Sequence, residues 1–274
     1  MLEPYDAHVG PPRLAPRTVA RERPSSYQYL LDLDVDLAEQ LDLRMRLVAR
    51  SAASAVTFEV EAGEVPLPEW LASVAPGPGV LVLDGVLSVE VRVGDRTTAE
   101  LVGAGDLLQV WTREEEDLLA CEIGWRALVP TRFAMLDAGF VERVRPWPEI
   151  SQVLLRRAGR RARNLNVQRA IAAQPRLEVR LALLLWHLAA RWGKVEPGGI
   201  RLPVPLTHQL LGRLVGAERP SVSHALGRLA EAGLVRGHGD EWHLRGSLQD
   251  QLASIEEPAA GRVEELVAAT RRKG

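Results

Sequence analysis

The sequence predicts an α+β protein with two domains joined by a long helix, and three observations support this architecture. Short alternating strands separated by glycines fill residues 55–136, which indicates a β-sandwich or β-roll. An apolar repeat of helical period follows at residues 147–174. Two short helical patterns, a glycine turn and a β-hairpin pattern then occupy residues 205–246. With 274 residues and 46% hydrophobic content, the chain is long enough for two cores.

The pattern at residues 205–246 begins with Thr207, a hydroxyl residue in the position of a helix N-cap. Gly216 allows a tight turn after the first helix, and Pro220 lies in the first turn of the second helix, where its missing N–H breaks no hydrogen bond. The spacing predicts these buried positions on the two helices: Leu210, Leu211, Leu214, Val215, Val222, Ala225, Leu226 and Leu229. Two short strands around the glycine-rich turn at residues 237–239 complete a winged helix-turn-helix.

The second helix of a helix-turn-helix enters the major groove of DNA, so this segment predicts DNA binding. The outward face of that helix carries Arg219, Pro220, Ser223, His224 and Gly227. An arginine there can donate two hydrogen bonds to O6 and N7 of a guanine. A winged helix that contacts protein instead of DNA is the alternative that the residues leave open.

The pattern LTxxLLxxLVGAxRPSVSxALxxLxxxGLV resembles the C-terminal DNA-binding domain of the CRP/FNR family, regulators of the cyclic-AMP receptor protein type. The resemblance assigns base reading to Arg219, Pro220, Ser223 and His224. It assigns phosphate contacts to Thr207, Gln209, Ser221, Arg228 and, in the wing, His238. The family often has an acidic residue where Pro220 stands and an arginine where His224 stands. The operator is therefore expected to differ from the family's best-known half-site.

The resemblance also implies that residues 27–146 form a double-stranded β-helix, a jelly-roll-like sensor domain that holds a cyclic nucleotide or another effector. Two segments carry this weaker match, LDGVLSVEV and the LVGAGDLL of Leu101–Leu108. Aligned from Gly105 and Asp106, the family's ribose-binding glutamate falls on Val110 and its phosphate-binding arginine falls near Leu118.

Apolar side chains at these two positions cannot pair with a phosphate. Cyclic AMP is therefore not expected as a ligand unless Arg113 or Arg126 substitutes from a shifted register. Control by an unknown effector other than cyclic AMP and effector-independent DNA binding both stay open, and no cofactor is predicted. His8 is the only histidine among the first 140 residues, which argues against a haem sensor and against a cupin-type metal site. We find no catalytic constellation, and we expect no enzymatic activity.

Residues 147–174 combine apolar positions spaced by about 3.5 residues with many arginines, the pattern of an amphipathic helix that needs a partner. The predicted stripe consists of Ile150, Val153, Leu154, Ala158, Ala162, Leu165, Val167 and Ile171. The resemblance makes this the dimerisation helix of a homodimer, whereas a basic helix on DNA or membrane is the alternative. A two-fold dimer places its recognition helices about 34 Å apart and reads a pseudo-palindrome. RNA polymerase is a candidate further partner, and no membrane contact is expected.

Charge is divided along the chain. Residues 1–140 hold 23 acidic and 12 basic side chains, whereas residues 141–236 hold 17 basic and 6 acidic ones. We interpret this as a regulatory half joined to a phosphate-binding half, because phosphate contacts supply sequence-independent affinity. Cys121 is the only cysteine, so no disulfide framework is expected. No apolar run is long enough for a membrane span or a signal peptide, and we expect a cytoplasmic protein.

The remaining segments are less informative. Residues 1–26 are rich in proline and arginine and are predicted to form a flexible arm. In residues 27–48, the LDLDVDL segment alternates like a strand while the later leucines fit a helix, which we favour after Leu37. Residues 175–246 are predicted to form the winged domain, and its first helix runs from Pro175 to Trp192. Two short helices in residues 247–274 form a C-terminal extension without an assigned task.

Overall fold

The computed structural model describes residues 26–65, 77–109 and 121–255. The predicted arm up to residue 25, the positions Val110, Arg113 and Leu118, and the second part of the C-terminal extension lie outside the described residues.

The N-terminal domain is a roll of two antiparallel sheets, as the sequence predicts. One sheet has the strand order β1-β2-β9-β4-β7 and the other has the order β3-β8-β5-β6. The strands are β1 Ser26–Tyr29, β2 Ser54–Val60, β3 Gly63–Val65, β4 Gly79–Asp84, β5 Val86–Val93, β6 Arg96–Gly103, β7 Leu107–Leu108, β8 Cys121–Ala127 and β9 Thr131–Leu136. Alternate side chains such as Val82, Leu87, Val102 and Phe133 fill the space between the sheets. Cys121 is half-buried at the start of β8.

Helices α1 (Leu30–Leu33), α2 (Leu43–Ala52) and α3 (Ala138–Val144) pack beside the roll. The strand-like alternation of LDLDVDL produces no strand beyond Tyr29, because this segment forms α1 and a 3-10 turn at Val35–Ala38. The turns bury apolar side chains of the segment, whereas Asp32 forms an ion pair with Arg50. Helix α3, which the sequence did not predict, is capped by Asp137, whose carboxylate accepts a hydrogen bond from the Phe140 amide at 2.7 Å.

Two helices follow the roll: α4 at Pro148–Ala172, which connects the domains, and α5 at Leu177–Trp192, which is the first helix of the winged domain. The single apolar stripe predicted for α4 divides into two faces. One face is buried against this subunit by Ile150, Val153, Leu154 and Ile171. The opposite face leaves Ala158, Ala162 and Leu165 of the predicted stripe exposed, together with Leu155, whereas Val167 is exposed outside both faces. The roll covers only one side of α4, so the apolar residues on the opposite side have no apolar partner among the described residues of this subunit.

The C-terminal domain is a winged helix, which confirms the prediction. It contains α6 (His208–Val215), α7 (Arg219–Glu231) and a sheet of order β10-β11-β13-β12. The strands are β10 Lys194–Glu196, β11 Gly199–Leu202, β12 Val235–His238 and β13 Glu241–Arg245. A further helix at residues 248–255 joins this domain through buried Gln251, whose side chain donates hydrogen bonds to the carbonyls of Leu234 and Arg245. Within the described ranges, no helix combines the length and apolarity needed to cross a membrane.

The winged domain packs on the outer side of the roll. Ala99 and Leu101 of β6 share one hydrophobic core with the leucines of α5, α6 and α7. The side-chain amide of Gln168 on α4 donates to the carbonyls of Ala99 and Leu214, at 2.6 and 3.1 Å, so it joins the two domains. Two ion pairs flank this interface, Arg213 with Glu90 and Arg96 with Glu218.

Candidate nucleic-acid interface

The helix-turn-helix is fixed by local signals in its own sequence. The Thr207 hydroxyl caps α6 by accepting a hydrogen bond from the Leu210 amide at 3.2 Å. Gly216 ends that helix with φ at +69°, a left-handed conformation that suits glycine. Helix α7 then begins at Arg219 with proline in its first turn. The buried side of α7 consists of Val222, Ala225, Leu226 and Leu229, the four residues that the spacing predicts.

The opposite side of α7 faces solvent. Arg219, Pro220, Ser221 and His224 are all exposed, and Gly227 continues the same face. In the described part of the chain, the Arg219 guanidinium forms no ion pair. An uncovered helix face with a free arginine in its first turn can enter a major groove and donate to base edges.

Ser223 has a different environment from the other predicted base-reading residues. It is half-buried, and its hydroxyl lies 2.8 Å from Nδ1 of His208 and 3.1 Å from the carbonyl oxygen of Arg219. The His208 ring lies next to Trp242 of β13, with 6.2 Å between ring centroids. Ser223 therefore links α6, α7 and the wing, and its base-reading role stays a prediction.

The predicted phosphate contacts also differ from one another. Thr207, Gln209 and His238 are exposed, and His238 stands at the turn of the wing. Arg228 forms an ion pair with Glu178 of α5. Burial raises the pKa of Glu178, but its backbone hydrogen bond and Arg228 more than offset this and lower the pKa overall. Arg228 is therefore engaged within the subunit, and its phosphate contact stays a prediction.

Among the described residues, five arginines of the basic half form ion pairs with acids of the N-terminal half. The pairs are Arg156 with Glu39, Arg157 with Asp34, Arg161 with Glu100, Arg191 with Asp106 and Arg213 with Glu90. The charge division along the chain thus reflects contacts between the domains, and a surface for phosphate stays a prediction. Sequence reasoning did not assign these pairs, although the opposite charges of the two halves were a signal for them.

The junction between the roll and α4 contains two enclosed ion pairs. Both terminal nitrogens of Arg157 contact the carboxylate of Asp34, and the Arg157 side chain is 5% exposed. Arg161 contacts Glu100 through Nε at 3.0 Å and through a terminal nitrogen at 2.8 Å. Burial raises the pKa of Glu100, and Arg161 opposes that rise.

Arg126, one of the two arginines that could replace the family's phosphate ligand, is half-buried and lies 3.4 Å from Glu64. A phosphate would have to compete with that carboxylate for the guanidinium. The described residues include no group of three or more His, Cys, Asp or Glu side chains able to hold a metal ion.

Comparison with known proteins identifies the C-terminal domain and relates most of the chain to a known regulator. Residues 179–245 match the Crp-like helix-turn-helix domain. The CRP-like cAMP-activated global transcriptional regulator of Mycobacterium tuberculosis is 30% identical over 201 residues, which cover 70% of this chain and 87% of that protein.

Solved structures show the same fold at lower identity. A cyclic nucleotide-binding domain containing protein from Listeria monocytogenes is 14% identical, with a TM-score of 0.54 over 68% of this chain and 86% of that chain. A CooA mutant from Carboxydothermus hydrogenoformans is 21% identical, with a TM-score of 0.51 over 64% of this chain and 77% of that chain. Because the identity to the mycobacterial regulator extends over most of both proteins, the chain belongs to the CRP/FNR family of transcriptional regulators.

Proposed function

We propose that the protein is a homodimeric, sequence-specific DNA-binding regulator that reads a pseudo-palindromic operator with α7. The observation that carries this proposal is the free face of α7, where Arg219, Pro220, Ser221 and His224 are exposed together. Arg219 is the proposed contact to a guanine, and His224 lies five residues further along the same exposed face. The absence of an acid at Pro220 removes an acceptor for a cytosine amine, which alters the preferred half-site.

The uncovered side of α4 supports dimerisation. Leu155 is 74% exposed and Leu165 is 36% exposed, although both are large apolar side chains. With Ala158 and Ala162 they follow a three-four-three spacing, which is the seam of a two-stranded coiled coil. A second copy of α4 is the partner that buries this seam. RNA polymerase as a further partner and the cytoplasm as the location remain expectations from the sequence.

The ion pairs between the roll and α4 bear on control by an effector. Arg157 and Arg161 already hold the roll to the long helix through Asp34 and Glu100. In this arrangement no nucleotide is needed to join the two elements. We therefore propose that cyclic AMP has no effect on DNA binding, and that the regulator either is constitutive or responds to a different effector.

Selection of bound fragments from random duplex DNA by the purified full chain tests the proposal. We expect a two-fold symmetric site that is the same with and without cyclic AMP. Arg219→Ala should relax the preference at one base pair in each half. Recovery of random fragments only, with no enriched motif, would refute sequence-specific binding.

Light scattering tests the dimer. The double variant Leu155→Glu/Leu165→Glu places charges in the seam and should halve the measured mass. Leu47→Glu is the matched control, because Leu47 is an apolar residue of α2 that is 67% exposed and lies outside the seam. Retention of the dimer mass by the double variant would contradict an interface at this face of α4.

A further inference from the structure

A cavity of about 370 Å³ opens where the roll, the long helix and the winged domain meet. Its walls come from β6, α4 and α5, and they include Leu101, Leu188 and Trp192. Leu101 points away from the interior of the roll, into the core that the winged helix forms. The cavity therefore lies on the outer side of the roll, against the first helix of the winged domain. Its volume lies within the usual range for small-molecule sites, about 300–1,000 Å³.

Polar side chains face each other across this cavity in two helical rows. Arg160, Asn164 and Gln168 line it at successive spacings of four on α4, and His187 and Arg191 do so on α5. Residues four apart share one face of a helix. Faces of helices that meet at a domain junction are normally apolar, as the neighbouring core of α5 is. Together with the apolar Leu101, Leu188 and Trp192, these two opposed rows give the cavity the combination of apolar walls and placed polar groups that ligand sites have.

Most of these groups retain hydrogen-bonding capacity. In the described part of the chain, the side chains of Asn164 and His187 form no hydrogen bond, and the side chain of Gln168 uses only its amide nitrogen. Arg160 forms one hydrogen bond, to the carbonyl of Gly105 at 3.2 Å. Burial, followed by the positive charge of Arg191, lowers the pKa of His187, so its neutral ring offers both a donor and an acceptor.

The charge of the cavity is positive on balance. Arg191 is held in place by Asp106 at 2.6 Å, and its guanidinium lies 4.6 Å from the centre of the Trp192 ring. Glu100 also lines the cavity, but its carboxylate is occupied by Arg161. Arg160 is exposed at the mouth without an acidic partner among the described residues. An anionic group therefore finds the guanidinium of Arg160, which has no acidic partner among the described residues, and that of Arg191, which it would share with the Asp106 carboxylate.

We propose that this cavity binds a small organic anion of about nucleotide size, a phosphate ester or a carboxylate, through Arg160 and Arg191, with Asn164, Gln168 and His187 as neutral partners. Such a ligand would contact α4 and α5 at once. Because α5 belongs to the winged domain and α4 carries the dimer seam, occupancy would set the position of the recognition helices. This regulatory consequence rests on the proposed function, whereas binding itself does not.

Calorimetric titration of the full chain with 5′-AMP and, separately, with citrate tests the site and distinguishes the two sources of anion. We expect saturable binding of at least one probe. Arg160→Gln and Asn164→Leu should each weaken that binding at least tenfold. Arg163→Gln is the control, because Arg163 is exposed on the same helix and does not line the cavity.

No saturable binding of either probe, or equal binding by Arg160→Gln and the unaltered chain, would overturn the proposal. DNA affinity measured with and without the bound probe separates this inference from the proposed function. Probe binding by a protein that has no affinity for DNA would refute the function and leave the site. DNA binding by a protein that binds neither probe would refute the site and leave the proposed function.

Discussion

Two arginine-bearing helices of this protein, α4 and α7, use the same residue in opposite ways. On α4, Arg157 and Arg161 are enclosed and joined to Asp34 and Glu100 of the roll. On α7, Arg219 is exposed and has no acidic partner among the described residues. An enclosed pair fixes two elements to each other, whereas a free guanidinium is available to a ligand such as DNA. The neighbours of an arginine, and not its place in a basic segment, decide which role it has.

Breaking the enclosed pair of α4 should have the largest effect. Arg157→Leu leaves the Asp34 carboxylate without its partner, and removing one member of a buried pair costs about 3–5 kcal/mol. The free energy of unfolding, measured in urea, should fall by that amount. The double variant Arg157→Leu/Asp34→Leu removes both charges and should recover most of the loss. An unchanged unfolding free energy in the single variant would show that the pair contributes nothing to stability.

Removing the free arginine of α7 should affect DNA recognition and leave stability unchanged. Arg219→Ala should lose about 1–3 kcal/mol of discrimination at one base pair, because a good bidentate contact to a guanine has that value. Fluorescence anisotropy with single-base variants of the selected operator measures this loss. His224→Ala should act at a different base pair. If discrimination is unchanged in both variants, this face of α7 does not read bases.

Arg228 lies between the two cases, since it is on α7 but is paired with Glu178. Glu178→Gln removes the acid and should free Arg228 for a phosphate. One additional phosphate contact steepens the dependence of log affinity on log salt by about 0.9. The double variant Glu178→Gln/Arg228→Gln should return the slope to that of the unaltered chain. A slope that does not change in the single variant would place Arg228 away from the DNA.

The smallest expected effect concerns His187, whose pKa in the folded protein is lowered by burial. The unfolded chain takes up the proton near the ordinary pKa of about 6.5, while the folded chain resists it. The contribution of His187 to the free energy of unfolding should therefore be fully present above that pH. It should decline as the pH falls below it. Melting temperatures between pH 8 and pH 5.5 should show a smaller decline for His187→Gln than for the unaltered chain. An identical decline in both proteins would mean that this histidine does not contribute.

The winged helix could be predicted from sequence in detail because its signals are local. The cap at Thr207, the left-handed turn at Gly216 and the buried side of α7 each depend on residues within a few positions of one another. The roll was also predictable in kind, from alternation and glycine spacing. The segment after Tyr29 was less predictable, because alternating leucines and aspartates fit a strand as well as short helical turns.

The sequence by itself determined the order of roll, long helix and winged helix, and the exposed face of α7. Only the tertiary structure decided which arginines are paired, which side of α4 is left uncovered, and where the polar rows of α4 and α5 enclose a cavity. Asp34 and Arg157 are 123 residues apart, as are Glu90 and Arg213. The spacing of residues along the chain determines which of them share a helix face. The residues that contact this face depend on how distant elements pack together, and a local sequence pattern carries no information about that packing.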